Sequence, residues 1–177
     1  DDGSTDSSKE IVQSFNDSRV KLYLNRVNKG IVYSLNYGLK KCNGDLIARM
    51  DADDISHPDR IKLQVHEFIS DVHLDICGTF YTQIGVLNRT INHPTTHQTI
   101  KEALFTEGCI IAHPTVMFRK KITLVCDPTY TEEYKNAEDC DLWVRAITSG
   151  FKFKNIPIPL LQYRVHVNQV STVNRST

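Results

Sequence analysis

Apolar positions in this chain come in short blocks punctuated by turn residues. Asp1-Asp2-Gly3-Ser4-Thr5-Asp6 is rich in turn and cap residues, and Ile11, Val12 and Phe15 then recur at helical spacing, which predicts a helix over 6–15. Val20-Lys21-Leu22-Tyr23-Leu24 alternates and predicts a strand. After the turn Asn28-Lys29-Gly30, Ile31, Leu35 and Leu39 predict a helix over 31–41 that stops at Asn43-Gly44. Residues 45–50 form an apolar run that reads as a buried strand, and Asp51-Ala52-Asp53-Asp54 follows it. Pro58 opens a helix to about residue 69 with Ile61, Leu63, Val65, Phe68 and Ile69 as its apolar positions.

Further along, 71–75 reads as a loop, 76–84 as a strand ended by Gly85, and 86–91 as its hairpin partner. Thr96 or Thr99 caps a short helix through Leu104 and Phe105. Residues 109–118 read as strand, interruption, strand, because Pro114 cannot donate to a ladder. Residues 127–136 predict a mobile loop, and 138–149 a helix with Leu142, Trp143, Ala146 and Ile147 buried. A strand over 151–156 is broken by Pro157 and Pro159, a last strand runs over 160–165, and the polar tail after His166 is expected to fray.

Helices alternating with strands imply an α/β fold with a mostly parallel central sheet flanked by helices. A chain of 177 residues suits a single domain. Within it, 1–75 reads as a nucleotide- and metal-binding half and 76–177 as an acceptor-binding half. A turn as tight as Asp1-Asp2-Gly3 ordinarily joins a strand to a helix, so a first strand is expected to be missing from this chain.

Charge narrows the function. Lys plus Arg equals Asp plus Glu at 21 each, so no global field draws the chain to nucleic acid or anionic lipid. Five scattered cysteines without a CxxC pair argue for a reducing compartment rather than a disulfide framework. Asn16-Asp17-Ser18, Asn88-Arg89-Thr90 and Asn174-Arg175-Ser176 fit the N-glycosylation pattern, a triplet that arises often by chance. No apolar run approaches the roughly 20 residues that span a bilayer.

Three acidic stations carry the candidate chemistry. Asp51, Asp53 and Asp54, at the end of a strand, repel one another unless a cation or donors offset the charge, and hard oxygen ligands suit Mg2+ or Mn2+. Two readings stand: a metal site, or Asp54 or Ser56 as a cap on the Pro58 helix with the other acids solvated. Asp1-Asp2 before a glycine turn reads either as a nucleotide contact or as a helix cap. Glu138-Asp139 reads either as a general base or as acids favoured by a helix dipole. Lys29, Arg60 and Arg164 are candidate phosphate partners, and His166 a candidate metal or phosphate contact. His113 and Trp143 are most simply structural.

In their order along the chain these stretches resemble the family 2 glycosyltransferases, inverting enzymes with a GT-A fold. The resemblance rests on Asp1-Asp2-Gly3-Ser4-Thr5-Asp6, on Asn28-Lys29-Gly30 with Leu35-Asn36-Tyr37-Gly38-Leu39 and Asn43-Gly44-Asp45, and on Asp51-Ala52-Asp53-Asp54 as a DxD motif. It continues through residues 113–119, Glu138-Asp139-Cys140-Asp141-Leu142-Trp143, and Tyr163-Arg164-Val165-His166. It implies Asp2 on the nucleotide base with Asp1 in support, and Lys29 near the diphosphate. Asp51 would lie on the ribose or share the metal, and Asp53 would be the metal ligand. Asp139 would be the base, with Glu138 beside it. It further implies a divalent Mn2+ or Mg2+, a nucleotide-sugar donor with UDP-sugars foremost, and a glycan or lipid-linked acceptor. The implied place is the cytoplasm, free or peripheral to the inner face of a membrane. A metal-dependent nucleotidyltransferase is the first rival, and it would want a basic, Gly-rich triphosphate loop that the chain lacks. A non-catalytic nucleotide- or sugar-binding module is the second.

Overall fold

A computed structural model of the chain describes residues 1–134 and 136–166. The frayed tail expected after His166 and the triplet at Asn174 lie outside the described residues.

The elements are α1 (Ser8–Ser14), α2 (Ile31–Lys41), β1 (Leu46–Ala48), β2 (Ile55–Ser56), α3 (Arg60–Ser70), β3 (Leu74–Gly85), β4 (Arg89–Ile91), α4 (His97–Thr106), β5 (Met117–Arg119), α5 (Ile122–Val125), α6 (Glu138–Thr148) and β6 (Lys152–Val165). The α/β class is as expected, and α2 coincides with its predicted span. The sheet runs β1-β5-β3-β6-β2 with β4 on β3. It is mixed rather than mostly parallel: β3 and β6 run parallel, and the other described pairings are antiparallel.

Residues 20–24 form no ladder; the segment is extended, and Asn25 N–H donates to the Asp1 carbonyl at 2.9 Å. α1 buries none of its residues, so its predicted apolar face stays open, with Ile11 and Phe15 exposed. Residues 109–112 are not strand, and a 3-10 turn over His113–Thr115 stands where Pro114 interrupts the run.

The strand break predicted at Pro157 does not occur. Pairing slips instead, from Thr79 opposite Ile156 to Phe80 opposite Pro159, and β6 continues past the two prolines. A proline without an N–H is tolerated where a ladder is already irregular. The slip carries residues 160–165 onto β2, where Ile55 faces Gln162 and Ser56 faces Leu161. This brings Arg164 to the loop that follows β1.

Side chains alternate across the sheet. Ile76 and Phe118 join one core with Val32, Ile100, Leu104, Leu142, Trp143 and Phe153, under α2, α4 and α6. Cys77 and Met117 join the opposite core with Phe68, Ile156 and Leu160, under α3. Trp143 is fully buried, edge-on to His113 and Phe153, and is core as expected.

Behind the β1 end sits an unusual pair. Arg60, 1% exposed, donates to the Arg49 carbonyl at 2.6 Å, the Val116 carbonyl at 3.3 Å and Gln64 Oε1 at 3.1 Å. Gln64 in turn donates to the Cys77 and Thr115 carbonyls at 2.6 and 2.8 Å. Burial pulls the Arg60 guanidinium down to about 10, still charged at neutral pH. The pair sews α3 to β1, β3 and β5 through backbone carbonyls, and so Arg60 serves the scaffold rather than a phosphate. Arg60→Ala leaves these acceptors bare and is expected to lower the unfolding free energy by about 3 kcal/mol. Urea unfolding checks this as a lower midpoint at unchanged slope.

Candidate functional site

The acid loop leaves β1 at Ala48 and turns back at β2, closed by an Asp54 N–H to Asp51 carbonyl bond. Oxygens of Asp51, Asp53 and Asp54 come within 4.8 Å of one another. Each acid has a different environment. Asp51 is clamped by both terminal nitrogens of Arg49, with Nη1 to Oδ2 at 2.6 Å, and Arg49 is itself only 10% exposed. Asp53 is exposed, with Oδ2 at 3.3 Å from His166 Nε2 and its carbonyl accepting from Arg164 Nε at 2.9 Å.

Asp54 is the buried one. Its Oδ1 accepts the Arg164 backbone N–H at 2.9 Å, and its Oδ2 is buried with no hydrogen-bond partner among the described residues. Burial pushes its carboxyl up to about 6, and the charges of Asp51 and Asp53 add to this. It is therefore not a cap on the helix that follows. α3 begins at Arg60 after Asp59, without a side-chain cap bond. Three clustered carboxylates, one with an orphaned oxygen, are a donor set that fits a hard divalent cation. His166 stands next to it.

The second station opens α6. Glu138, 6% exposed, accepts the Asn136 N–H on Oε2 at 2.7 Å. Asp139 is half-buried, and its Oδ1 accepts the Cys140 N–H at 2.9 Å. Burial pushes the Asp139 carboxyl up to about 6; Glu138 pushes the same way, while the Cys140 N–H and the Arg49 charge pull partly back. Arg49 thus acts on Asp139 while clamped to Asp51, and links the two stations.

The wall between them is fixed. His113 Nε2 and Tyr130 Oη are 2.8 Å apart, and both rings are buried. Burial, with the Arg49 charge, holds the His113 imidazole well below its ordinary value. Asn36 on α2 bonds Tyr130 in both directions, at 2.8 and 3.1 Å. Arg145 donates to the Pro128 and Thr129 carbonyls at 3.2 and 2.6 Å while paired with Asp141. The segment expected to be a mobile loop is therefore pinned over 128–131.

Asp1, Asp2 and Lys29 form a separate group. Asp2 Oδ1 accepts the Lys29 N–H and Asn25 Nδ2, and Oδ2 the Gly30 N–H, all at 2.8 Å. Burial works to raise this carboxyl, but these hydrogen bonds outweigh it and hold it below its ordinary value. Asp2 so fixes the approach to α2, whose cap Gly30 has φ +89 and no side chain to cap with. Asp1 Oδ1 accepts the Ser4 N–H at 2.7 Å. Lys29 Nζ lies against Tyr33, 3.1 Å from its hydroxyl.

Sequence reasoning passed over Arg49, yet two residues before Asp51 in an extended segment both side chains share a side. It also read the cysteines as unpaired. The structure joins Cys109 and Cys140, 31 residues apart, as a disulfide beside Asp139, while Cys42, Cys77 and Cys126 are free. Among the described residues no helix is long and apolar enough to cross a membrane.

An acid raised in the folded state holds its proton more tightly there, so its favourable contribution is present below about pH 4 and is lost as pH rises through about 6. Asp139→Asn removes that loss. Between pH 4 and pH 6.5 the unfolding free energy of the parent is expected to fall relative to the variant, measured by denaturant titration at each pH.

Comparison with known proteins bears on the family and the fold. The family model described as glycosyl transferase family 2 matches residues 1–124. The O-antigen biosynthesis glycosyltransferase WbnJ of Escherichia coli is 34% identical over 85% of this chain and 59% of its own length. The bifunctional glycosyltransferase pgtA of Dictyostelium discoideum is 32% identical over 98% of this chain and 28% of its own. The chain thus spans about 60% or less of these relatives. Among solved structures, S. aureus TarS 1–349 in complex with UDP-GlcNAc aligns with TM-score 0.74 at 19% identity, over 96% of this chain and 49% of that one. Mannosyltransferase PcManGT from Pyrobaculum calidifontis, in complex with GDP-Man and Mn2+, aligns with TM-score 0.63 at 14% identity, over 99% and 48%. At these identities the structural likeness establishes the fold, of GT-A type.

Proposed function

Because the chain belongs to glycosyl transferase family 2, we propose that it moves a sugar from a nucleoside-diphosphate sugar to an acceptor hydroxyl with inversion, in the synthesis of a glycan. The observation that carries this reading is Arg49, which clamps Asp51 in one acidic station and acts on the raised carboxyl of Asp139 in the other. One station suits a diphosphate with its cation and the other suits proton abstraction, so donor and acceptor meet across Arg49.

Asp139 is the general base. A carboxyl near 6 is ionised at neutral pH yet binds a proton better than an ordinary aspartate, which suits removal of a hydroxyl proton. The acceptor oxygen attacks the anomeric carbon as its proton passes to Asp139. The bond to the diphosphate oxygen breaks on the opposite face, its electron pair leaves with the nucleoside diphosphate, and configuration inverts. Glu138 keeps Asp139 basic by its charge and anchors the turn before α6 through the Asn136 N–H.

Asp53, Asp51 and Asp54 would hold Mn2+ or Mg2+, with His166 beside Asp53. When bound, the cation supplies neutralisation of the charge that grows on the departing diphosphate. Asp2 shapes the nucleotide side by fixing residues 25–30, and Asp1 and Lys29 belong to that side. The donor follows the neighbours in kind, a UDP-sugar foremost, and the acceptor is a glycan or a lipid-linked sugar. The place of action is the cytoplasm or the inner face of a membrane.

Steady-state kinetics of Asp139→Asn test this. The expected result is a fall in kcat of about 10²- to 10⁴-fold with the donor KM little changed, and in the parent an acid limb of kcat/KM with its midpoint at about 6. A variant that turns over like the parent removes Asp139 from the reaction.

A further inference from the structure

The disulfide partners stand on either side of the proposed base. Cys140 follows Asp139 in the first turn of α6 and donates its backbone N–H to Oδ1. Cys109, on the loop after α4, places its sulfur 3.5 Å from Oδ2. With Oδ1 engaged by the backbone, Oδ2 is the oxygen left for a substrate proton. An acceptor hydroxyl needs to come within about 2.6–3.2 Å of it. A sulfur at contact distance occupies that approach.

The geometry points to Cys109 and Cys140 as a thiol–disulfide site that gates Asp139: bridged, the Cys109 sulfur is held over Oδ2, and reduced, it is free to leave. This inference rests on Asp139 as the base. Release is easy on the Cys109 side. Its side chain is exposed, and Gly108 before it sits at φ +91, a backbone shape that glycine adopts without strain. Exposure also lets a soluble thiol reach the bridge. Two of the free cysteines are poor competitors: Cys77 and Cys126 are buried, and burial pushes the Cys77 thiol up to about 12.

Closure uses an external low-molecular-weight disulfide as oxidant. The Cys109 thiolate attacks one sulfur of that disulfide and expels a thiolate. Cys140, its proton lost to water, then attacks the Cys109 sulfur and expels the second. Two electrons pass from the pair to the external disulfide, which leaves as two thiols. A dithiol reverses both exchanges.

The test uses the full chain equilibrated with oxidised glutathione or with dithiothreitol. Non-reducing peptide mass spectrometry is expected to find the Cys109–Cys140 cross-link in the first sample and not in the second. Coupling of Asp139 to an amine by a water-soluble carbodiimide is expected to be at least fivefold slower in the bridged sample. Cys109→Ser is expected to couple at the fast rate in both conditions, and Cys126→Ser to behave as the parent. Absence of the cross-link under oxidising conditions, or equal coupling rates in the two states, overturns the proposal. Neither readout uses turnover, so failure here leaves the kinetic test of Asp139 as base intact, and failure of that test leaves the cross-link and coupling results as they are.

Discussion

Carboxylate oxygens of Asp51, Asp53 and Asp54 crowd within 4.8 Å of one another, and charges at that spacing have to be offset from around them. The surrounding structure can be read as the means of doing so incompletely. β1 delivers Arg49 to Asp51, and β6 delivers the Arg164 backbone N–H to Asp54. Behind them Arg60 and Gln64 tie the carbonyls of Arg49, Val116, Thr115 and Cys77 together and anchor the root of the loop at Arg49. One buried oxygen of Asp54 has no hydrogen-bond partner among the described residues. On the proposed reading, the repulsion that these groups do not cancel is what a cation arriving with a diphosphate would relieve.

The same constraint reaches Glu138 and Asp139 at the start of α6 through Arg49. A guanidinium that served only to neutralise Asp51 would need no burial. This one is 10% exposed beside the His113–Tyr130 pair, and its charge bears on His113 and on Asp139. The residues around it are immobilised: Asn36 and Arg145 pin 128–131, and Trp143 packs against His113 from α6. Such a wall holds Asp139 and the acid loop in one geometry, the arrangement that the proposed reaction would need.

Much of this was legible in the residues themselves. Periodicity located α2, and Thr96 caps α4 with Thr99 completing the box, both named as candidates. The acid clusters stood out as charge that a strand end or a helix start has to account for. What sequence could not show is whatever depends on long-range pairing. Ile55–Ser56 is a strand only because β6 slips at Pro157 and Pro159 and lies down beside it. Asp54 becomes the buried acid for the same reason, since its partner is Arg164, 110 residues away. Cys109 and Cys140 meet because the loop after α4 folds onto the start of α6, and their spacing along the chain carries no trace of that. Residues 20–24 have the alternation of a strand without the ladder, because alternation reports a half-buried surface and not a partner.

On the proposed reading, the acidic loop after β1 holds a divalent cation together with a nucleoside diphosphate. Titration calorimetry of UDP into the parent and into Asp53→Ala, each with and without Mn2+, tests it most directly. Mn2+ is expected to strengthen UDP binding to the parent at least tenfold, and Asp53→Ala to remove this gain while leaving the metal-free affinity in place. Equal affinity of the parent with and without Mn2+, or an undiminished gain in Asp53→Ala, would contradict it.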